Sequence, residues 1–260
     1  MTFQKFQVLT TKKKIQMKNS DLITIFDKTI FCADINDSRP SLQSVNLVID
    51  NSIKMVGCDG HKLCKIVIDK DVGEEINVNI NKISANFLLS NLNKKEESNI
   101  IFSDKHMIVE NENQIIYIKI SKDLYPNVDK VIPSEFKDTI IIKKKELEEA
   151  LKMTFSIVNK KTKLIQFKIS ENLLKIYAIN RDIGSSAEQD IEIKFNGEEK
   201  NLGFNSELLQ ILLKKIDTEE FSFSYGTVIS PCIFKNIYDN EKDIKYKEFL
   251  LLLMPLRILD

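Results

Sequence analysis

The chain has no excess of charge of either sign. Lys+Arg and Asp+Glu are equal at 38 each over 260 residues, giving a formal net charge of +0 with histidine neutral. No global basic field advertises nucleic acid, so any such contact must come from charge segregated onto one surface. Long apolar runs are also missing. The longest, FLLLLMPL at residues 249–256, is far too short to span a bilayer. The opening MTFQKFQVLTTKKK lacks the apolar core of a secretory leader. Cysteine is sparse: Cys32, Cys58, Cys64 and Cys232 are scattered, with no CxxC pair among them. That distribution leads us to expect free thiols in a reducing, cytoplasmic compartment. What remains, 43% hydrophobic and 29% charged residues, describes a globular chain long enough for one large domain or two ordinary ones.

Hydrophobic periodicity supplies the elements. NSDLITIFDKTIFCAD (19–34) opens on Asn-Ser-Asp capping chemistry and places Leu22, Ile25, Phe26, Thr29 and Ile30 at helical spacing. KKELEEALKMTFSIV (144–158) repeats the pattern with Leu147, Ala150, Leu151, Thr154 and Val158. Shorter helices are expected at 83–94 and 205–217, the latter behind an Asn205/Ser206 cap. Alternating runs around Asp50-Asn51-Ser52 and Ser170-Glu171-Asn172 signal hairpins, with further strands between and after them, one of them at 188–195. The halves superimpose. MKNSDL (17–22) falls on IKKKEL (142–147) and Asn81 falls on Asn205, with offsets of about 120 to 125 residues. A repeat of this kind decides the fold before any motif does. It predicts two similar domains joined near residues 121–137, where Pro126 and Pro133 break regular structure.

One short stretch looks reactive. GCDGHKL (57–63) offers Cys58, Asp59, His61 and Lys62 beside two glycines. A phosphate loop would need its glycines between a strand and a helix, whereas Leu63–Ile68 is strand-like. A zinc site on Cys58, His61 and Cys64 lacks a fourth ligand at workable spacing, since the other histidine, His106, lies in an expected strand. A Cys–His nucleophile needs a base within hydrogen-bond reach, which neighbours on one turn rarely achieve. The plainest reading is a tight turn in which Gly60 permits positive φ.

Five segments in register then resemble one family: DSRPSLQSV (37–45), GCDGHKL, DLYPNVDKVIP (123–133), LGFNSELL (202–209) and LLMPLRI (252–258). They are similar to the bacterial DNA polymerase III β subunit, the replicative sliding clamp, along nearly the whole chain. The resemblance implies an α+β fold of tandem clamp domains, each with two inner helices packed on outer antiparallel sheets. Residues 1–128 would correspond to the family's second domain and 129–260 to its third, with no counterpart of the first. It implies no enzyme, cofactor or metal. The implied protein is a processivity factor that encircles duplex DNA and tethers polymerase, clamp loader and other replication proteins. Without a first domain, closure as a homotrimer of two-domain subunits is expected ahead of a dimer or monomer. The alternative is a truncated clamp relative that binds partners without encircling DNA.

The resemblance also implies a partner-peptide pocket. Carried over position by position, it comprises Leu42, Cys58, Gly60, His61, Lys62 and Leu63, then Pro126, Lys130 and Val131, then Pro231, Leu252, Met254, Pro255, Leu256 and Arg257. Cys58 stands where the family usually has Thr, and Lys62 where it has Arg, whose planar fork a lysine does not reproduce. Expected DNA-facing groups are lysines on the solvent faces of the helices: Lys28, Lys94, Lys152, Lys214 and Lys215. Contacts that only slide need be no more than weak phosphate attractions.

Overall fold

The computed structural model describes residues 13–258. The opening segment and the outermost ends of both expected domains lie outside the described residues. The chain divides into two compact units. The first runs to Asp59 and takes in Cys64–Pro126 and Tyr246–Glu248; the second comprises Gly60–Leu63, Asn127–Lys245 and the chain from Phe249 onward.

The element order shows the duplication directly. The first half reads β1 (Lys13–Lys18), α1 (Asn19–Thr29), β2 (Ser44–Ile49), β3 (Ile53–Cys58), β4 (Lys62–Ile68), β5 (Ile76–Asn81), α2 (Lys82–Asn91), β6 (Glu97–Phe102), β7 (His106–Glu110) and β8 (Ile115–Ser121). The second repeats it as β9 (Asp138–Lys143), α3 (Lys144–Phe155), β10 (Leu164–Ser170), β11 (Leu173–Asn180), β12 (Ser185–Glu192), β13 (Lys200–Asn205), α4 (Ser206–Leu213), β14 (Glu220–Tyr225), β15 (Cys232–Asn236) and β16 (Glu248–Leu253). Pairing repeats as well. The first unit has β1–β6–β7–β8 and β5–β2–β3–β4, joined where Asn79 and Ile80 pair with Ser121 and Ile120. The second has β9–β14–β15–β16 and β13–β10–β11–β12.

Equivalent positions meet equivalent physics. Thr29 near the end of α1 and Thr154 near the end of α3 are both fully buried. Each hydroxyl donates to the carbonyl one turn back, Ile25 at 2.7 Å and Ala150 at 2.9 Å, which satisfies a polar group deep in the core. Asn81 and Asn205 both cap, their Oδ1 atoms accepting from Ile83 N and from Glu207 N and Leu208 N. The core of the first unit gathers Leu22, Ile25 and Phe26 of α1 with the inward residues of its strands. In the second unit Phe167, Phe204 and Phe223 stack edge to face at 5.0–6.0 Å between centroids, with Phe234 at 4.9 Å from Phe223.

Three sequence-based expectations change. The expected Asn-Ser-Asp cap of α1 does not form, because β1 runs straight into the helix from Lys18. Asn19 turns inward instead, donating through Nδ2 to Asn93 O, while its backbone N–H reaches Glu96 O. Lys144 N makes the equivalent bond to Glu219 O at the start of α3. All four helices are shorter than their apolar periodicity suggested; α1, for example, gives way to a 3-10 turn at Ile30–Cys32. The strand expected at 188–195 lies at Ser185–Glu192.

Candidate partner-binding site and helix surfaces

The GCDGHKL turn is built by close packing. A Cβ at Gly57 would collide with the Thr29 carbonyl, so only glycine lets β3 lie against the end of α1. Gly60 has φ of 90°, where other residues are strained. His61 is exposed, Lys62 half-buried and Leu63 buried. Among the described residues no cluster of three or more His, Cys, Asp or Glu is placed to hold a metal. All four cysteines are buried. Burial pushes the Cys232 thiol up to about 12.

Gly60–Leu63 belongs to the second unit, beside the end of the chain. Met254 N donates to His61 O at 2.8 Å. Leu256 bridges to Gly203 of β13, its N–H donating to the Gly203 carbonyl at 2.7 Å. A side chain at 203 would meet the Leu256 carbonyl at 2.7 Å, Leu164 Cδ1 at 2.8 Å and Ile258 Cγ1 at 3.1 Å. That glycine is therefore what lets the segment after β16 lie flat on β13. On these segments Leu63 and Leu252 are buried, Pro231, Met254, Pro255 and Leu256 half-buried, and His61 and Arg257 exposed. Lys130 and Val131 are exposed on the same unit. Leu42, Cys58 and Pro126 lie in the first unit, where Leu42 and Cys58 are buried and Pro126 is exposed.

A separate cavity of about 370 Å³ in the first unit is lined by Ser41, Ser44, Asn79, Asn81, Lys119 and Asp123 among others. It contains none of the expected pocket residues. Its size does not make it the site, since its buried amide, Asn79, is already committed to Asn46 and to the Asp123 carbonyl.

The expected DNA-facing lysines need correction. Lys28 is only 6% exposed, because it sits on the inner side of the last turn of α1 next to fully buried Thr29. Lys94 is exposed but lies beyond α2, which ends at Asn91. Lys214 and Lys215 follow α4, which ends at Leu213; Lys214 is exposed and Lys215 half-buried. Of these five, Lys152 alone stands on an exposed helix face. The four helices together carry five lysines against six carboxylates. Of those lysines, Lys82 donates to Ala33 O and Lys144 to Ile216 O. Apolar groups stand out on these surfaces instead, with Ile83 67% and Phe87 56% exposed on α2.

Two units of matching strand–helix order, each with two helices and two antiparallel sheets, define the DNA-clamp fold. Solved structures bear this out. The DnaN sliding clamp (DNA polymerase III subunit beta) of Pseudomonas aeruginosa bound to griselimycin superimposes with a TM-score of 0.85 at 23% identity, over 95% of this chain and 66% of that one. The Thermotoga maritima β subunit gives 0.85 at 23% identity, over 100% and 70%. The beta sliding clamps of Streptococcus pneumoniae and Halalkalibacterium halodurans are 22% and 24% identical over 236 and 239 residues, 88% and 89% of this chain. Residues 129–249 match the family described as "DNA polymerase III beta subunit, C-terminal domain". That match lies in the second half of the chain, and across both halves the chain is similar to the bacterial beta sliding clamps. It spans 62% and 63% of the length of those two curated relatives.

Proposed function

We propose that this protein is a clamp that holds partner proteins by a short apolar peptide seated on Gly60–Leu63 and Met254–Arg257. The observation that carries this reading is the hydrogen bond from Met254 N to His61 O, which brings two distant motifs to one surface. A methionine on an apolar floor re-packs around varied side chains, and an aromatic or leucine anchor buried there would dominate affinity. The partners would be a DNA polymerase, a clamp loader and other replication proteins. The chain would encircle duplex DNA as a ring of identical copies, with a trimer giving six clamp domains. In such a ring topology does the holding, so affinity for phosphate can be weak.

The test is binding of a peptide of Gln–Leu–Ser–Leu–Phe pattern to the full chain. Met254→Asp is expected to weaken it by about tenfold or more, equivalent to about 1.4 kcal/mol. Equal affinity of the variant and the native chain would remove Met254 from the site.

A second reading has its own support. A helix set with more carboxylates than lysines, one lysine buried and two tied to carbonyls, suits a clamp relative that engages partners without encircling DNA. Native mass spectrometry separates the two readings. A species of about 90 kDa, three times the 30.0 kDa chain, supports the ring, and a stable monomer supports the second reading.

A further inference from the structure

We propose that the hydroxyl of Tyr125 is a positioning group for the peptide site, standing in for a missing rung of the β2–β3 ladder and thereby fixing where the Asp59–Lys62 turn begins. This inference rests on the peptide site proposed above.

Strands β2 and β3 pair from Ile49 and Ile53 to Val45 and Gly57. One step further the register would place Cys58 opposite Ser44. The direct bond is replaced by a relay: Cys58 N donates to Tyr125 Oη at 3.0 Å, and Tyr125 Oη donates to Ser44 O at 3.3 Å. The Cys58 Sγ lies 3.9 Å from the same hydroxyl. The phenol therefore wedges the ladder open at its last rung while leaving both backbone groups satisfied.

The position of this wedge gives it consequences. The first unit ends at Asp59 in one place and at Pro126 in another, and Cys58 and Tyr125 each lie one residue before those ends. The relay ties the two exits together. The linker is fastened a second time where Asn79 Nδ2 donates to Asp123 O at 2.7 Å, and Leu124 between the two fastenings is 94% exposed. Asp59, Gly60 and His61 follow Cys58 in turn, so any shift of Cys58 toward Ser44 is passed along the chain to the His61 carbonyl that receives Met254 N. Burial, with smaller contributions from nearby thiols, drives the Tyr125 hydroxyl far above an ordinary phenol. It stays neutral, able to donate and accept at once, across the usable pH range.

Tyr125→Phe keeps the ring and removes only the relay, allowing the rung to close directly. The expected result is peptide affinity weakened about fivefold to tenfold, with the Cys58 amide still protected, now by a direct bond to the Ser44 carbonyl. Ile100→Val, a core truncation in β6 of the same unit, serves as the control for lost stability and is expected to leave affinity within about twofold. Tyr125→Phe binding within twofold of the native chain overturns the inference, even if its melting temperature falls. So does a native Cys58 amide that exchanges as freely as an exposed one, a measurement that needs no variant to fold. A native chain that binds no peptide overturns the site itself, and the inference with it.

Discussion

Replacing Gly203 with alanine tests how the chain end is held. Its φ is not in the left-handed region, so the substitution carries no backbone penalty and acts only through space. The new methyl would lie 2.7 Å from the Leu256 carbonyl, against about 3.4 Å for ordinary contact, so that carbonyl must retreat by about 0.7 Å. Leu164 Cδ1, at 2.8 Å, belongs to a side chain that can rotate away; the Leu256 backbone cannot. Retreat of this size stretches the 2.7 Å bond from Leu256 N to Gly203 O beyond useful length, a net loss of about 1 kcal/mol. Overpacking adds about 1–2 kcal/mol. A total of about 2–3 kcal/mol corresponds to a fall in melting temperature of roughly 5–10 °C for a chain of this size. Scanning calorimetry reads that fall. Peptide titration well below the transition reads the displacement of Met254–Arg257, expected as at least about tenfold weaker binding. A melting temperature within about 1 °C of native, together with native affinity, would show that the segment after β16 is not seated on β13.

Other outcomes follow from the same contacts. Asn205→Ala leaves two helix N–H groups without their acceptor and is expected to cost about 1 kcal/mol, read as a lower midpoint in urea; Lys18→Ala at the uncapped start of α1 should cost far less. Lys28→Ala is expected to lower thermal stability without changing retention on circular DNA, whereas Lys152→Glu, on an exposed face, should weaken retention at low salt and leave the melt unchanged. Because the folded Cys232 thiol titrates near 12 and an unfolded one near 8.5, folding stability from this group is complete below about pH 8.5 and is lost as pH rises toward 12. Cys232→Ala should flatten that alkaline decline in melting temperature.

The sequence made the architecture legible because duplication writes the same pattern twice. Thr29 and Thr154, or Asn81 and Asn205, could be paired before any coordinates, and the structure gives each pair the same hydrogen bonds. The site was legible only as a list of motifs, because its decisive contacts join residues far apart in the chain. Nothing near Gly203 in sequence announces that Leu256 will lie on it, and nothing near Tyr125 announces that its hydroxyl will meet Cys58 and Ser44. Lys28 was misread for a related reason. Near a helix end, periodicity alone does not tell which flank the next layer covers, and a long aliphatic stem lies comfortably against a core. Apolar periodicity also runs past the last helical hydrogen bond, as at Ile30, where the inward face continues through a 3-10 turn.

Hydrogen exchange of the full chain, with and without the Gln–Leu–Ser–Leu–Phe peptide, tests the proposed site most directly. A peptide seated there slows exchange in residues 60–63 and 254–257 together, with little change on α2. Protection centred on the exposed Ile83–Phe87 face of α2, or on the cavity of the first unit, would contradict it.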